Sequence, residues 1–382
     1  MPIYNNIRDA VIFIMFIRCL IKKELKFGEI DYVWILFFFI WFYGFFLTFL
    51  FGYPIIGISG IHLFVVPALL YLVISNSNES FNYKEIEFAF IRVALVIASL
   101  GLISYIFKPY YFKKLFAISG NVIDASDYIR LVSVFLSPNI CGCYFAIAFS
   151  LALSMFVRTR KNIYLLPMIV FLLCIFLTLS RGSWCFVVAA LILSFFFFNL
   201  KNFLGLIAVC LLCLSCSLFI TDFSFNQKVS MSEHGTKRLV TLFDSKNGSS
   251  YGRMNDWGDI FREVSTQATG FGIGVGSTAQ IGYGNLANIR VVDGNWMRFF
   301  IETGFIGLLY SFLFVGWAFG KVYTFLKVHD STLGVFPLFI CFGFFLQSVG
   351  STPFDFVPTA PFFWIFFGLA SKKVKEKKLI FN

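Results

Sequence analysis

The sequence predicts an all-α protein, a polytopic transmembrane helix bundle of about 10–12 spans interrupted by one long external loop. Three observations predict it. Hydrophobic residues fill 59% of the 382 positions, and phenylalanine alone fills 55 of them. Charged residues make up 13%, against the roughly 25% that a soluble surface carries. The apolar residues come in continuous runs rather than in the alternation of a membrane barrel. This composition excludes soluble enzymes and nucleic-acid modules. The net charge of +11 then reads first as basic cytoplasmic loops and only second as an affinity for anions.

The runs can be taken in order. A weak first candidate, Ala10–Ile21, is interrupted by Arg18; its lack of a small-residue cleavage site argues against a removable signal peptide. Stronger runs follow at Tyr32–Phe51, Ile55–Ser75, Ile86–Phe107, Leu131–Val157, Ile163–Leu179, Trp184–Leu200 and Phe203–Ile220. After a long polar interval come Trp296–Gly320, Leu333–Ser348 and Phe354–Ala370. The chain therefore divides into helices over 1–220, a loop over 221–294, helices over 295–371 and a basic tail over 372–382. Lys22, Lys23, Lys26, Arg158, Arg160, Lys161, Lys201, Lys321, Lys327 and the SKKVKEKK tail all fall on one side of this arrangement. The bias of Lys and Arg in short loops makes that side cytoplasmic and puts the long loop outside, in the periplasm or its equivalent.

The nine cysteines lie almost wholly inside apolar runs. Cys210, Cys213 and Cys216 have the spacing of a cluster ligand set, but they sit in a lipid-length run without a partner Cys or His at metal spacing, so they read as packing residues. His62, His234 and His329 are scattered. No metal site and no cofactor are expected.

The long loop is the most informative stretch. In YGRMNDWGDIFREV, Met254, Trp257, Phe261 and Val264 recur at helical spacing, which predicts an amphipathic helix at the outer membrane surface with Arg253 in its first turn. Arg253 either points toward the bundle or tops a solvated face. The following TGFGIGVGS carries Gly270, Gly272, Gly274 and Gly276. Its flanks are not the strand and helix of a dinucleotide fold. It is expected to be a tightly turned, mobile segment that closes over a site.

Charges in or beside apolar runs need a reason, because burial in lipid is costly. Arg181 lies between two runs with Ser180 and Gly182 beside it; its planar guanidinium suits a phosphate oxygen pair, and the plain alternative is an interfacial anchor. Arg130 caps the outer end of the fifth run, and Arg92 lies mid-run near Glu85 and Glu87. Asp293 and Asn295 stand at the outer start of the ninth run, followed by Arg298 and Glu302. Asp293 is a candidate general base or a helix cap. Rim arginines, a carboxylate and a glycine-rich segment together suit an anionic amphiphile, such as a lipid-linked pyrophosphate.

Five segments in order resemble the O-antigen polymerase and O-antigen ligase superfamily of bacterial envelope glycosyltransferases. They are RLVSVFLSPNICGCYFAIAFSLALSM, LTLSRGSWCFVVAALILSFFFF, SSYGRMNDWGDIFREV, TGFGIGVGS and VVDGNWMRFFIETGFIGLLYSFL. The resemblance implies that Arg181 and Arg253 grip the pyrophosphate of an undecaprenyl-linked glycan. It also puts Asp293 where ligases show an essential His before an Asn; here Gly294 intervenes before Asn295. That departure looks more like the polymerase branch. The expectation is an inner-membrane repeat-unit polymerase with its site facing the periplasm. Its partners would be an undecaprenyl-diphosphate-linked glycan as donor and as acceptor, the bilayer, and a chain-length regulator. Asp293 would be the base; Arg181, Arg253 and Arg130 would hold pyrophosphate; Ser180, Gly182, Asn295, Gly272 and Gly274 would support them. An O-antigen ligase and a flippase of lipid-linked sugars are the alternatives.

Overall fold

In the computed structural model the apolar runs are helices, and no strand occurs among the described residues. Those residues are 3–22, 24, 32–107, 130–135, 137–197, 203–205, 207–208, 210–215, 257–258, 262, 270–278, 294–328, 332–356 and 358–381. Six helices among them are long and apolar enough to cross a membrane. Shorter apolar helices at Asn162–Thr178, Arg181–Phe197 and Phe203–Ser215 accompany them. The chain divides into two compact units, one formed by Met1–Phe81 with Arg253–Asn382 and the other by Asn82–Gly252.

The first unit contains α1 (Ile3–Ile21), α2 (Tyr32–Leu50) and α3 (Pro54–Asn76). The second contains α4 (Tyr83–Phe107), α5 (Pro138–Thr159), α6 (Leu165–Thr178) and α7 (Arg181–Ser194). The chain then returns to the first unit with α8 (Asn295–Val328), α9 (Thr332–Gly350) and α10 (Ala360–Phe381).

In the first unit α3 packs along α1, α2 and α10, and α8 packs on α2, α9 and α10. Lipid supplies no hydrophobic drive between helices, so their fit rests on close van der Waals contact. Aromatic rings provide much of it: Trp41 stacks on Phe64 with centroids 4.3 Å apart, and Trp34 stacks on Tyr71 at 5.0 Å. The C-terminal ends of α1 and α3 gather against the middle of α10 at one end of this unit. There Arg18 pairs with Glu79, and Lys372 Nζ donates to the Ser77 carbonyl at 2.7 Å, a cation on the carbonyls that end α3. α10 runs on through the basic residues that follow Ser371.

In the second unit α5 is the central helix, packed on α4, α6 and α7. Its start differs from the sequence expectation of Leu131. Pro138 occupies the first turn, where a missing N–H costs nothing, and the Ser137 hydroxyl accepts from the Ile140 amide at 3.2 Å. Leu131 instead bonds across to α6, its amide donating to the Leu177 carbonyl at 3.0 Å. Arg130 thus precedes a non-helical approach to the span and does not cap it.

The expected single run Trp296–Gly320 is broken. Within α8, Gly304 has φ 70° and ψ −158°, and the chain kinks there. The last expected span also starts later, because a 3-10 turn at Pro353–Asp355 precedes α10.

Candidate functional site

Two polar clusters among the described residues bear on the candidate site, one in each unit. In the second unit, α6 ends on Leu179 in the left-handed region at φ 51°, and α7 starts immediately after Ser180. This sharp junction places Arg181 at the first position of α7. The Arg130 Nε donates to the Thr178 carbonyl at 2.8 Å and its Nη2 to Asn139 Oδ1 at 3.3 Å. Both acceptors are neutral, so these bonds fix the guanidinium without cancelling its charge. Burial, and then the like charge of Arg181, push the Arg130 pKa down to about 10. It stays protonated at neutral pH, and two cations are thereby held close at a helix N-terminus, where backbone amides and the macrodipole also favour anions.

Small hydroxyl residues build the floor of this junction. Ser180 is buried; its amide donates to Thr178 Oγ1 at 3.2 Å, and Ser183 Oγ bonds Ser180 Oγ at 3.1 Å. Gly142 on α5 must be glycine here, because a Cβ would come within 2.5 Å of Ser183 Oγ and 2.9 Å of Thr178 Oγ1. Gly182 follows Arg181 in the first turn of α7, half-buried. The structure thus brings Arg130, Arg181, Ser180 and Gly182 together.

The second site lies in the first unit around the break in α8. In an unbroken helix the carbonyls of Ile301 and Glu302 would accept from amides four residues on. Here they accept from the Ile273 and Gly274 amides, at 3.0 and 2.9 Å, and the Phe305 amide donates to the Gly270 carbonyl at 3.0 Å. The Val275 amide donates to the Gly44 carbonyl of α2 at 3.0 Å. Backbone groups buried in a membrane protein must be satisfied internally, and the glycine-rich turn repairs the helix in this way. Gly272, Gly274 and Gly276 all have positive φ, and a Cβ at Gly272 would lie 2.6 Å from the Gly304 amide nitrogen. The sequence reading expected a mobile lid at this turn; the structure packs the turn into the break in α8. Val275, Ser277 and Thr278 are buried and the turn is a wedge between α2, α3 and α8.

An ion network continues from this turn. Thr278 Oγ1 donates to Glu302 Oε1 at 2.8 Å, and Arg298 Nε donates to the same oxygen at 2.7 Å. Arg298 Nη1 pairs with Asp355 Oδ2. Asn295 Nδ2 donates to Asp355 Oδ1 at 3.3 Å, and Asn295 Oδ1 accepts from the Phe354 amide at 3.3 Å. Arg298 and Glu302 are 1% and 0% exposed, and the guanidinium carbon lies 5.0 Å over the Phe64 ring. Arg298 Nη2 and Glu302 Oε2 have no hydrogen-bond partner among the described residues.

Asn295 is the first residue of α8, one residue before the expected start at Trp296. Arg253 and Asp293 lie outside the described residues. Of the anticipated amphipathic helix, Trp257, Gly258 and Arg262 are described and are helical. The sequence reading missed Asp355. The available signal was a lone carboxylate in the apolar stretch STPFDFVP. Among the described residues no group of His, Cys, Asp and Glu has the arrangement of a metal site.

The fold is that of a multi-pass helical membrane protein, with Arg130 and Arg181 near each other at the start of α7. Residues 166–312 match a family described as O-antigen ligase, and this match supports a relationship to the O-antigen ligase and polymerase superfamily. The match does not separate ligase from polymerase. No curated protein matches the chain.

Proposed function

We propose that the protein is a repeat-unit polymerase of the bacterial inner membrane. It transfers a growing glycan en bloc from one undecaprenyl diphosphate to the non-reducing sugar of another lipid-linked repeat unit on the periplasmic face. The observation that carries this reading is the Arg130–Arg181 pair at the start of α7. Two cations held against mutual repulsion gain most when an anion comes between them, and the gain is largest as the diphosphate becomes a leaving group.

The acceptor hydroxyl oxygen attacks the anomeric carbon of the donor, the bond from that carbon to the diphosphate oxygen breaks, and undecaprenyl diphosphate departs with the bonding pair. The hydroxyl proton passes to Asp293, which stands where ligases carry a His. Arg253 joins the pyrophosphate grip, and Arg181 supplies planar two-point contact.

The test is purified protein in lipid with one lipid-linked repeat unit and no nucleotide. A ladder of longer glycans is expected. With a matched substrate, absence of a ladder overturns the reading. Transfer to lipid A core in place of ladder formation would make the protein a ligase.

A further inference from the structure

The Arg298 network makes one guanidinium the tie between two chain positions that flank residues 279–293. Thr278, the last described residue before that stretch, is bound to Glu302 through its hydroxyl at 2.8 Å and its amide at 3.3 Å. Asn295, the first residue of α8, is bound to Asp355 at 3.3 Å. Arg298 joins the two carboxylates, with Nε on Glu302 and Nη1 on Asp355. Gly294 is fitted against the end of α9, where a Cβ would stand 2.7 Å from the Val349 carbonyl oxygen. The register of the α8 start is thus fixed against both α9 and the turn at 353–355.

Stability alone is a poor account of this arrangement. A buried ion cluster recovers its desolvation cost only when every donor and acceptor is matched, and apolar residues of similar volume are often as stable. Here a guanidinium N–H and a carboxylate oxygen remain unmatched among the described residues. Such a cluster is better explained by geometry that apolar side chains cannot impose, since only a bidentate cation fixes two carboxylates at a set separation.

We infer that Arg298, acting through Asp355 and Asn295, is a positioning residue for the transfer reaction: it sets the place of the α8 start, two residues along the sequence from the proposed base Asp293. This inference rests on the polymerase reading above for its catalytic consequence, but the tie itself can be tested without activity.

The experiment uses the full-length protein in nanodiscs with Asp355→Asn and Arg298→Lys. Asp355→Asn keeps size and the bond to Asn295 but removes the charge that holds Arg298; Arg298→Lys keeps the charge but reaches one carboxylate. Turnover per folded molecule should fall about 10- to 100-fold in both, with the KM for the lipid-linked repeat unit within about twofold of wild type. Amide hydrogen exchange should accelerate over residues 294–298 and stay unchanged in α5. Unchanged turnover per folded molecule in both variants would overturn the positioning role, whatever happens to yield. Unchanged exchange at 294–298 would overturn the tie. If the wild type builds no ladder, the polymerase reading fails while the exchange measurement still decides the tie. Should Asp355→Asn not fold, Arg298→Lys carries the same two readouts.

Discussion

The Phe305 amide donates to the Gly270 carbonyl at 3.0 Å across the break in α8. Through this bond and its two neighbours a nine-residue turn, 270–278, stands in for a missing stretch of helix. The consequence is that substitutions in the glycine-rich turn act on folding before they act on turnover.

Gly272→Ala and Gly274→Ala should therefore cost about 3 kcal/mol or more each, because positive φ strain adds to direct collision with backbone. At Gly274 the collision is with the Thr48 amide nitrogen, 2.6 Å from a built Cβ. Thermal unfolding in detergent and the yield of folded protein check this. Variants with wild-type stability and lost activity would restore the view of the turn as a moving part.

Arg181→Lys should leave folded protein and lower polymerisation by about two orders of magnitude, the scale of losing a donor aimed at developing charge. Lysine retains the charge but not the planar pair of N–H groups. Near-normal glycan ladders would reduce Arg181 to an interfacial anchor. Arg130→Gln tests the pair from the other side. It relieves repulsion in the empty site, so stability should hold or rise slightly, while donor KM should rise. Arg253→Ala should resemble Arg181→Lys in activity with little effect on expression.

Much of the fold was legible because its cause is local. Twenty apolar residues in lipid have to be helical, so α2, α3, α4 and α9 start and stop within a few residues of the expected bounds. The misplaced boundaries have tertiary causes. Hydropathy alone carried Leu131–Phe135 into a span, whereas Pro138 with its Ser137 cap set the true start of α5. The break at Gly304 was invisible to hydropathy, since its partner amides lie some thirty residues upstream, at Ile273 and Gly274. The arginine pair was legible as two separate rim charges, but their coupling depends on Thr178 and Asn139 as acceptors. The Arg298 and Glu302 spacing of one helical turn was in plain view; Asp355, far along the chain, was what made it a network.

Asp293 carries the last prediction. Asp293→Asn keeps size and capping ability but removes proton acceptance. If Asp293 is the base, turnover should collapse while stability changes by less than about 1 kcal/mol, because Asn caps helices as well as Asp does. If it is only a cap, Asp293→Asn should be nearly silent and Asp293→Leu should destabilise the start of α8. A third role would be to orient Arg181 or Arg253 by a charge-assisted bond, and then the Asn variant should lose donor affinity rather than rate. Measuring affinity for the lipid-linked donor beside the rate separates the three. Comparison with Asp355→Asn adds a further discrimination. Asp355 already engages Arg298 and Asn295 with its two oxygens, so it is committed to position. Substitution of a positioning carboxylate leaves a reduced rate whose dependence on pH follows the base of the wild type. Substitution of the base itself removes that dependence. A pH–rate profile that keeps its acid limb in Asp355→Asn and loses it in Asp293→Asn would assign the two carboxylates their separate tasks; a profile that keeps the limb in both would exclude Asp293 as the base.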